Sequence, residues 1–146
     1  MSLYLLDTDV LSNAAPGRAR RSVELTAWMD AHSADLFLSS VTVAEICSGI
    51  AKLKRQGAVA KAANIAEWLE LIVHLYGDRV LAFDTPAARL AGELMDKARG
   101  AGSSPGFADI AIAATASSRG MTILTRNLRH FTPLGISAID PFRTLP

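Results

Sequence analysis

The chain has 146 residues, of which 50% are apolar and 20% are charged, so it suffices for one domain but not for two ordinary ones. We therefore predict a single domain over residues 1–146. Its 15 Lys and Arg residues nearly balance 14 Asp and Glu residues, for a formal net charge of +1. This balance excludes an acidic disordered tail, a polybasic arm and binding of nucleic acid by bulk charge alone. The one cysteine, Cys47, excludes an intramolecular disulfide framework and a multi-cysteine metal site.

The N-terminal sequence does not resemble a signal peptide, because no basic segment precedes its first apolar run and Asp7 follows early. The chain has no run of about 18 apolar residues, the length that a membrane-spanning helix needs. We expect a small soluble protein of the cytoplasm.

Short apolar runs alternate with helical patterns along the chain. Because the runs are nearly uninterrupted, they are typical of parallel strands that helices cover on both faces. The predicted strands are Leu3–Leu6, Leu36–Leu38, Val80–Phe83 and Thr122–Thr125, with Ile136–Ile139 as a fifth candidate. The predicted helices are Ser22–His32, Val43–Gln56, Ala58–Tyr76, Thr85–Arg99 and Ala108–Arg119. This alternation predicts an α/β fold with a mainly parallel sheet.

Carboxylates stand where predicted strands end and helices begin. Asp7 and Asp9 follow the first strand, Glu45 the second and Asp84 the third, while Asp109 opens an otherwise apolar helix. The carboxyl ends of parallel strands form the edge at which ligands bind. Acids gathered there would repel one another and raise their pKa values, and Mg²⁺ or Mn²⁺ would remove that penalty.

Each of these acids also has a simpler interpretation as a helix cap. Thr42-Val43-Ala44-Glu45 has the pattern of a capping box, and Asp7 or Asp9 could cap the next helix. For Asp84, capping is the preferred interpretation. Asp109 could favour the helix dipole, but a carboxylate that opens a buried helix needs a partner, and a metal is one. The residues alone leave a metal cluster and a set of caps both open.

Four segments, in this order, resemble the signature motifs of PIN-domain ribonucleases. They are Leu5–Ser12, Ser39–Gly49, Ala108–Ala116 and Ile123–Phe131, and together they span nearly the whole chain. The likeness is closest to VapC-type toxins of type II toxin–antitoxin pairs, particularly the FitB-like branch. The resemblance implies a three-layer α/β/α sandwich with four or five short, mainly parallel strands. It also implies an endoribonuclease that depends on Mg²⁺, with Mn²⁺ as an alternative, and hydrolyses RNA without a covalent intermediate.

The resemblance assigns metal binding to Asp7, Glu45 and Asp109. Asn127 stands where the family usually has its fourth acid, and its neutral oxygen binds cations more weakly, which puts a second metal site in doubt. Asp9 stands where the family often has asparagine or a small polar residue, so it is a secondary candidate.

Three further residues are candidates for substrate binding because they lie at the end of the predicted strand Thr122–Thr125 or just after it. Thr125 could hydrogen-bond the water shell of the metal, and Arg126 and Arg129 could contact RNA phosphates. An ordinary solvated surface is the competing interpretation for both arginines. The run Arg18-Ala19-Arg20-Arg21 is a further candidate RNA contact with the same alternative.

The resemblance also implies partners. Such toxins form homodimers and are held by an antitoxin, here of VapB or FitA type, through which the complex contacts operator DNA. The antitoxin covers an apolar groove between early helices. The groove candidates here are Trp28, Ala44, Ile50, Leu53 and Trp68.

Two other functions compete with the nuclease. Leu6-Asp7-Thr8-Asp9 is also similar to haloacid-dehalogenase phosphatases, in which the first aspartate is the nucleophile. That motif expects Thr or Val where this chain has Leu11, and no paired-acid motif follows the fourth strand. The second alternative is a catalytically impaired binding or regulatory subunit with the same fold, and Asn127 is its sequence support.

Overall fold

The computed structural model describes residues 2–17 and 22–146, so the candidate RNA contact at residues 18–21 lies outside the described residues. Strands and helices alternate along the described chain, as predicted. The strands are β1 (Tyr4–Leu6), β2 (Leu36–Ser39), β3 (Val80–Leu81), β4 (Thr122–Leu124) and β5 (Ala138–Ile139). The helices are α1 (Thr8–Leu11), α2 (Val23–Ala31), α3 (Ser40–Arg55), α4 (Val59–Tyr76), α5 (Thr85–Gly100), α6 (Phe107–Ser118) and α7 (Leu128–Phe131).

The five strands form one sheet in the order β3-β2-β1-β4-β5, and every neighbouring pair is parallel. Leu5 of the central strand lies opposite Phe37 on one side and Ile123 on the other. The carboxyl ends of all five strands therefore face the same edge. This confirms the predicted α/β fold with a parallel sheet.

Helices cover both faces of the sheet. Leu5 and Ile123 lie on the face that packs against α5 and α6, whereas Leu6 and Leu124 lie on the face that packs against α1 to α4. Successive strand residues point to opposite faces, and all four of these side chains are 0% exposed. An uninterrupted apolar run is thus what a strand between two helical layers requires. The predicted three-layer α/β/α sandwich is confirmed.

Helix α3 begins earlier than predicted, and the capping-box interpretation of Thr42 to Glu45 is wrong. Ser39 caps the helix, with its hydroxyl oxygen accepting a hydrogen bond from the Val41 amide at 3.0 Å. A serine hydroxyl at the end of a strand satisfies an amide that the first helical turn leaves open. Glu45 consequently lies in the second turn, where it has no capping role.

Asp84 does cap α5, as predicted. Its Oδ1 accepts a hydrogen bond from the Ala87 amide at 3.1 Å, and its Oδ2 pairs with Arg119 Nη2 at 2.9 Å. These contacts account for both oxygens of Asp84, so this acid has a structural role away from the other carboxylates.

None of the helices among the described residues has the length and apolarity needed to cross a membrane.

The central strand should dominate stability. We expect Leu5→Ala to lower the free energy of unfolding by about 3 kcal/mol, because it leaves a cavity between two packed layers. Leu71→Ala, at a side chain that is 54% exposed, should change it by less than about 0.5 kcal/mol. Urea unfolding of the two variants compares these values, and equal losses would contradict the layer assignment.

Candidate functional site

Asp7 lies at the centre of the carboxyl edge, between β1 and β4, and is 6% exposed. Its Oδ1 accepts a hydrogen bond from the Thr8 amide at 2.9 Å, and its Oδ2 accepts one from Thr125 Oγ1 at 2.7 Å. The Asp7 amide in turn donates to the Leu124 carbonyl at 2.9 Å. Asp7 caps the short helix α1, as one interpretation predicted, but it is also joined to the end of β4.

Glu45 reaches the same edge from α3. The Thr8 hydroxyl donates to Glu45 Oε1 at 2.6 Å and lies 3.2 Å from the hydroxyl of buried Thr42. Thr8 is the residue directly after Asp7, so this contact places the Glu45 carboxylate beside the first acid. Unlike Asp7, Glu45 is exposed and faces solvent.

Asp109 lies in the first turn of α6, and its partner is a histidine that the sequence interpretation did not assign to the site. His130 Nδ1 lies 3.0 Å from Asp109 Oδ2. His130 belongs to α7, which follows the end of β4. A signal was present, since His130 stands three residues after Asn127 inside the fourth motif. It was missed because a lone histidine carries no ligand spacing.

Asp9 and Asn127 occupy one corner of the site together. Asp9 Oδ2 accepts hydrogen bonds from the Arg126 amide at 3.0 Å and from Asn127 Nδ2 at 3.2 Å. The Asn127 amide donates to Thr125 Oγ1 at 3.0 Å, which connects this corner to Asp7. Asp9 Oδ1 is buried and has no hydrogen-bond partner among the described residues.

Arg126 and Arg129 follow β4, as predicted, and both side chains are exposed. The Arg126 guanidinium lies over the Phe142 ring, 3.8 Å from its centroid. Both arginines line a pocket beside Asn127, at the side of the site away from Glu45.

Burial and mutual repulsion disfavour the charged forms of the three aspartates. Burial raises the pKa of Asp7, and the charge of Asp109 adds to the effect. Burial also raises the pKa of Asp109, with His130 opposing the shift and Glu45 adding to it. Burial and the neighbouring Asp7 raise the pKa of Asp9 to about 6. A cation at this edge would relieve all three penalties.

The donor set fits a hard divalent cation that keeps part of its water shell. In residues 2–17 and 22–146, no three His, Cys, Asp or Glu side chains converge as a closed ligand cluster. The available donors are carboxylate and amide oxygens, and one of them, Asp9 Oδ1, is buried without a partner. Oxygen donors that do not close around the ion are what Mg²⁺ accepts, because it dehydrates reluctantly and retains several waters.

An apolar groove of about 550 Å³ runs between α3 and α4 and reaches Thr8 and Glu45 at one end. Three of the predicted groove residues line it, namely Ile50, Leu53 and Trp68.

The other two candidates, Trp28 and Ala44, do not line this groove. Trp28 packs edge-to-face on Tyr4 at 5.4 Å and stacks on His32 at 4.5 Å, because the turn after α2 folds back on the tryptophan. Ala44 lines a separate shallow pocket with Phe107, since it lies on the other side of α3.

A parallel sheet with acids from separate segments at its carboxyl edge is the arrangement that the resemblance to PIN domains predicts. The family model described as "PIN domain" matches residues 4–132, and the chain belongs to that family. The predicted family resemblance is confirmed.

Several named proteins are similar over nearly their whole length. The plasmid stability protein StbB of Pseudomonas syringae pv. tomato is 35% identical over 144 residues, covering 96% of this chain and 99% of that protein. The VapC ribonuclease Y4jK of Sinorhizobium fredii is 36% identical over 141 residues, covering 96% and 98%. The toxin FitB of Neisseria gonorrhoeae is 34% identical over 143 residues, covering 96% and 99%.

Solved structures agree with these relatives. The crystal structure of FitAcB from Neisseria gonorrhoeae contains a chain that is 33% identical and superposes with a TM-score of 0.83, covering 96% of this chain and 99% of that one. A structure of FitAB bound to an IR36 DNA fragment gives 32% identity and a TM-score of 0.80, covering 96% of each chain.

The raised pKa of Asp9 predicts a pH dependence of stability in metal-free protein. A carboxyl whose pKa is raised from 3.8 to about 6 by folding stabilises the native state below about pH 4, and this stability is lost as the pH rises through about 6. We expect Asp9→Asn to make the free energy of unfolding fall less steeply as the pH rises. Since Asp9 is partly exposed, the gain at about pH 7 should be only of the order of 1 kcal/mol.

Urea unfolding in the presence of a chelator, from about pH 4 to about pH 7, measures this difference. The two proteins should converge at the acidic end. A constant gap between them across the range would contradict the assignment.

Proposed function

We propose that this protein is a metal-dependent endoribonuclease toxin of a toxin–antitoxin module. The observation that carries the proposal is a set of links among three acids that lie 38 and then 64 residues apart along the chain: Thr8, the residue after Asp7, donates to Glu45, and the charge of Asp109 raises the pKa of Asp7. The similarity to a VapC ribonuclease and to the toxin FitB supports the same activity.

The residues proposed to hold Mg²⁺, or Mn²⁺ in its place, are Asp7, Glu45 and Asp109. Such an ion supplies positive charge to the scissile phosphate and lowers the pKa of water at the site. The oxygen-only donor set and the raised pKa values of Asp7 and Asp109 support this assignment. Direct ligation and ligation through water are both consistent with acids that do not close into a cluster.

The other residues of the site hold these acids in place. Thr125 fixes one oxygen of Asp7, and Thr8 fixes one oxygen of Glu45, so each carboxylate presents a defined edge. His130 contacts one oxygen of Asp109 and leaves the other free of this contact. None of these groups is proposed to form a bond to phosphorus.

Asp9 is relevant to the second metal site, which the neutral Asn127 puts in doubt. The Asn127 side chain donates to Asp9 Oδ2, so a carboxylate stands directly beside the neutral residue. We propose that Asp9 supplies the negative charge that Asn127 lacks, and that Asn127 orients it. This pairing argues against the impaired regulatory subunit.

The haloacid-dehalogenase alternative is not favoured. Both oxygens of Asp7 are held by hydrogen bonds and the residue is 6% exposed, which is a poor arrangement for a nucleophile. The family match over residues 4–132 also points away from it.

We further propose that an antitoxin of VapB or FitA type binds the groove between α3 and α4. The solved neighbours include FitAB and VapBC complexes bound to DNA, which supports a partner that also contacts DNA. The apolar lining and the opening toward Glu45 suit a peptide segment that ends near the acids. A homodimer and a cytoplasmic location belong to the same proposal.

The activity is tested with purified protein, RNA, and Mg²⁺ or Mn²⁺. Asp7→Asn keeps the size of the side chain but removes its charge. We therefore expect the rate of RNA cleavage to fall about 10²-fold or more. Asp84→Asn is the matched control, because that acid caps α5 and pairs with Arg119 away from the site. It should cleave RNA at the wild-type rate.

Small phosphate esters serve as competing substrates in the same assay. Turnover of phosphomonoesters without RNA cleavage would favour the phosphatase, and metal binding without either activity would favour the regulatory subunit.

The partner is tested in cells. Expression of the wild-type chain should arrest growth, and co-expression of an antitoxin that binds the groove should restore it. Trp68→Ala should remain toxic but require more antitoxin, because it removes an aromatic side chain from the groove lining. Val73→Ala, at an exposed position of the same helix, is the control. Harmless expression at high level would contradict the toxin role.

A further inference from the structure

A second, positively charged pocket lies beside the acids at the carboxyl edge of the sheet. It has a volume of about 310 Å³ and is lined by Arg126, Asn127, Leu128, Arg129, Asp140 and Arg143. Three arginines against one aspartate give the lining a formal net charge of +2. The sequence interpretation anticipated two of these arginines, but not Arg143 near the C-terminus or a pocket that joins all three.

The pocket is held by contacts that leave its guanidinium groups available. Arg126 stacks on Phe142 with its charge over the ring, so its position is fixed without an anion. Asp140 is 8% exposed, and its Oδ1 accepts a hydrogen bond from the Phe142 amide at 3.0 Å. This bond anchors the segment that carries Phe142 and Arg143.

Two of the arginines have guanidinium groups that no close carboxylate neutralises. The side chain of Arg143 is 85% exposed and contacts Asp140 Oδ2 only at 3.6 Å. Within the part of the chain that the structure describes, the Arg129 side chain has no hydrogen-bond or ion-pair partner. Guanidinium groups that lack a close carboxylate are suited to bind phosphate oxygens.

Strand order places this pocket in line with the acids. Asp7 follows β1, the Thr125 to Asn127 segment follows β4, and Asp140 follows β5. Since these strands are consecutive neighbours, the ends of β1 and β5 lie two strand spacings apart, or about 10 Å. A nucleic-acid strand that presents one phosphate to the acids would therefore pass over the arginines with a neighbouring phosphate.

We propose that the pocket formed by Arg126, Arg129 and Arg143 is a subsite for a backbone phosphate of the RNA, next to the phosphate that is cleaved. The inference rests on the proposed function, since it takes the acids to be the cleavage centre. Arg129 and Arg143 bind the phosphate oxygens, and Phe142 and Asp140 position the pocket. The subsite binds the backbone and contributes no base recognition.

The first test measures RNA binding in an Asp7→Asn background, which prevents cleavage. The affinity for a short single-stranded RNA is followed by fluorescence anisotropy over a range of KCl concentrations at one fixed Mg²⁺ concentration. Each phosphate contact to a single strand contributes about 0.7 to the slope of log affinity against log salt. Because the two arginines bind one phosphate, Arg129→Gln together with Arg143→Gln should lower the slope by about 0.7 and weaken binding.

The matched control is Arg55→Gln together with Arg89→Gln. These exposed arginines at the end of α3 and on α5 carry the same total charge but lie outside the pocket lining. Their slope should equal that of the parent protein. Replacing Arg129 and Arg143 by lysine should restore most of the slope, because lysine keeps the charge. Equal slopes for the pocket and control variants, with unchanged thermal midpoints, would overturn the subsite.

The second test uses the intact site. With Asp7 present, the pocket variant should raise KM about tenfold and leave kcat within about twofold, because the subsite binds substrate and transition state alike. A loss confined to kcat would overturn the proposal. So would normal RNA affinity combined with lost neutralisation by the antitoxin, since the pocket would then contact protein.

The two proposals fail in different ways. If wild-type protein cleaves no RNA, the proposed function fails, and the salt slopes of the Asp7→Asn variants still show whether the pocket binds backbone phosphate. If wild-type protein cleaves RNA but the slopes are equal, the subsite alone fails.

Discussion

The hydrogen bond from Thr125 Oγ1 to Asp7 Oδ2 is the interaction on which the site depends. It joins residues 118 positions apart, is buried, and spans the ends of two neighbouring strands. Thr125 also accepts a hydrogen bond from the Asn127 amide, so one hydroxyl fixes the first acid and the segment after β4 together. This contact adds a side-chain link between Asp7 and the corner formed by Asp9 and Asn127, beside the backbone bond from the Asp7 amide to the Leu124 carbonyl.

Thr8 joins Asp7 to Glu45, as Thr125 joins Asp7 to the segment after β4. Its amide donates to Asp7 and its hydroxyl donates to Glu45, which connects β1 to α3. Asp7 and Glu45 are thus positioned by neutral hydroxyl and amide donors. Such donors hold a carboxylate in place without supplying a full opposing charge, so the burial penalty on Asp7 is only partly offset and its pKa stays raised. The hydrogen bonds fix the position of the Asp7 carboxylate, but its charged form would still be stabilised by a nearby cation.

The sequence predicted the layers and the parallel sheet because that information is local. An apolar run between two helical patterns has few other ways to bury both of its faces. The prediction that Asp7, Glu45 and Asp109 lie at one edge came from the same rule, because the sequence pattern put each of them at the end of a strand or near the start of a helix. The start of α3 was misplaced, because two serines and the β-branched pair Val41-Thr42 carry no clear helical period.

Contacts between distant segments were beyond prediction. His130 meets Asp109 because α7 folds back over the start of α6, and no spacing in the sequence encodes that approach. Trp28 was a groove candidate from the family resemblance, but it packs against Tyr4 and His32. Arg143 lies near the end of the chain and belongs to the carboxyl edge only because β5 pairs with β4.

The net charge of +1 therefore conceals a separation of charge along one edge of the sheet. Acids gather at the ends of β1 and β2, and arginines gather beyond β4 and β5. If the arginines lay among the acids, they would form ion pairs, and the carboxylates would have lowered pKa values and little need of a metal. Arg126 shows how this is avoided, because its side chain stacks on Phe142 and offsets only part of the effect of burial on Asp9. Because the acids and the arginines follow different β-strands, the acids remain available to bind a cation. The arginines remain available to bind a phosphate of the same RNA molecule.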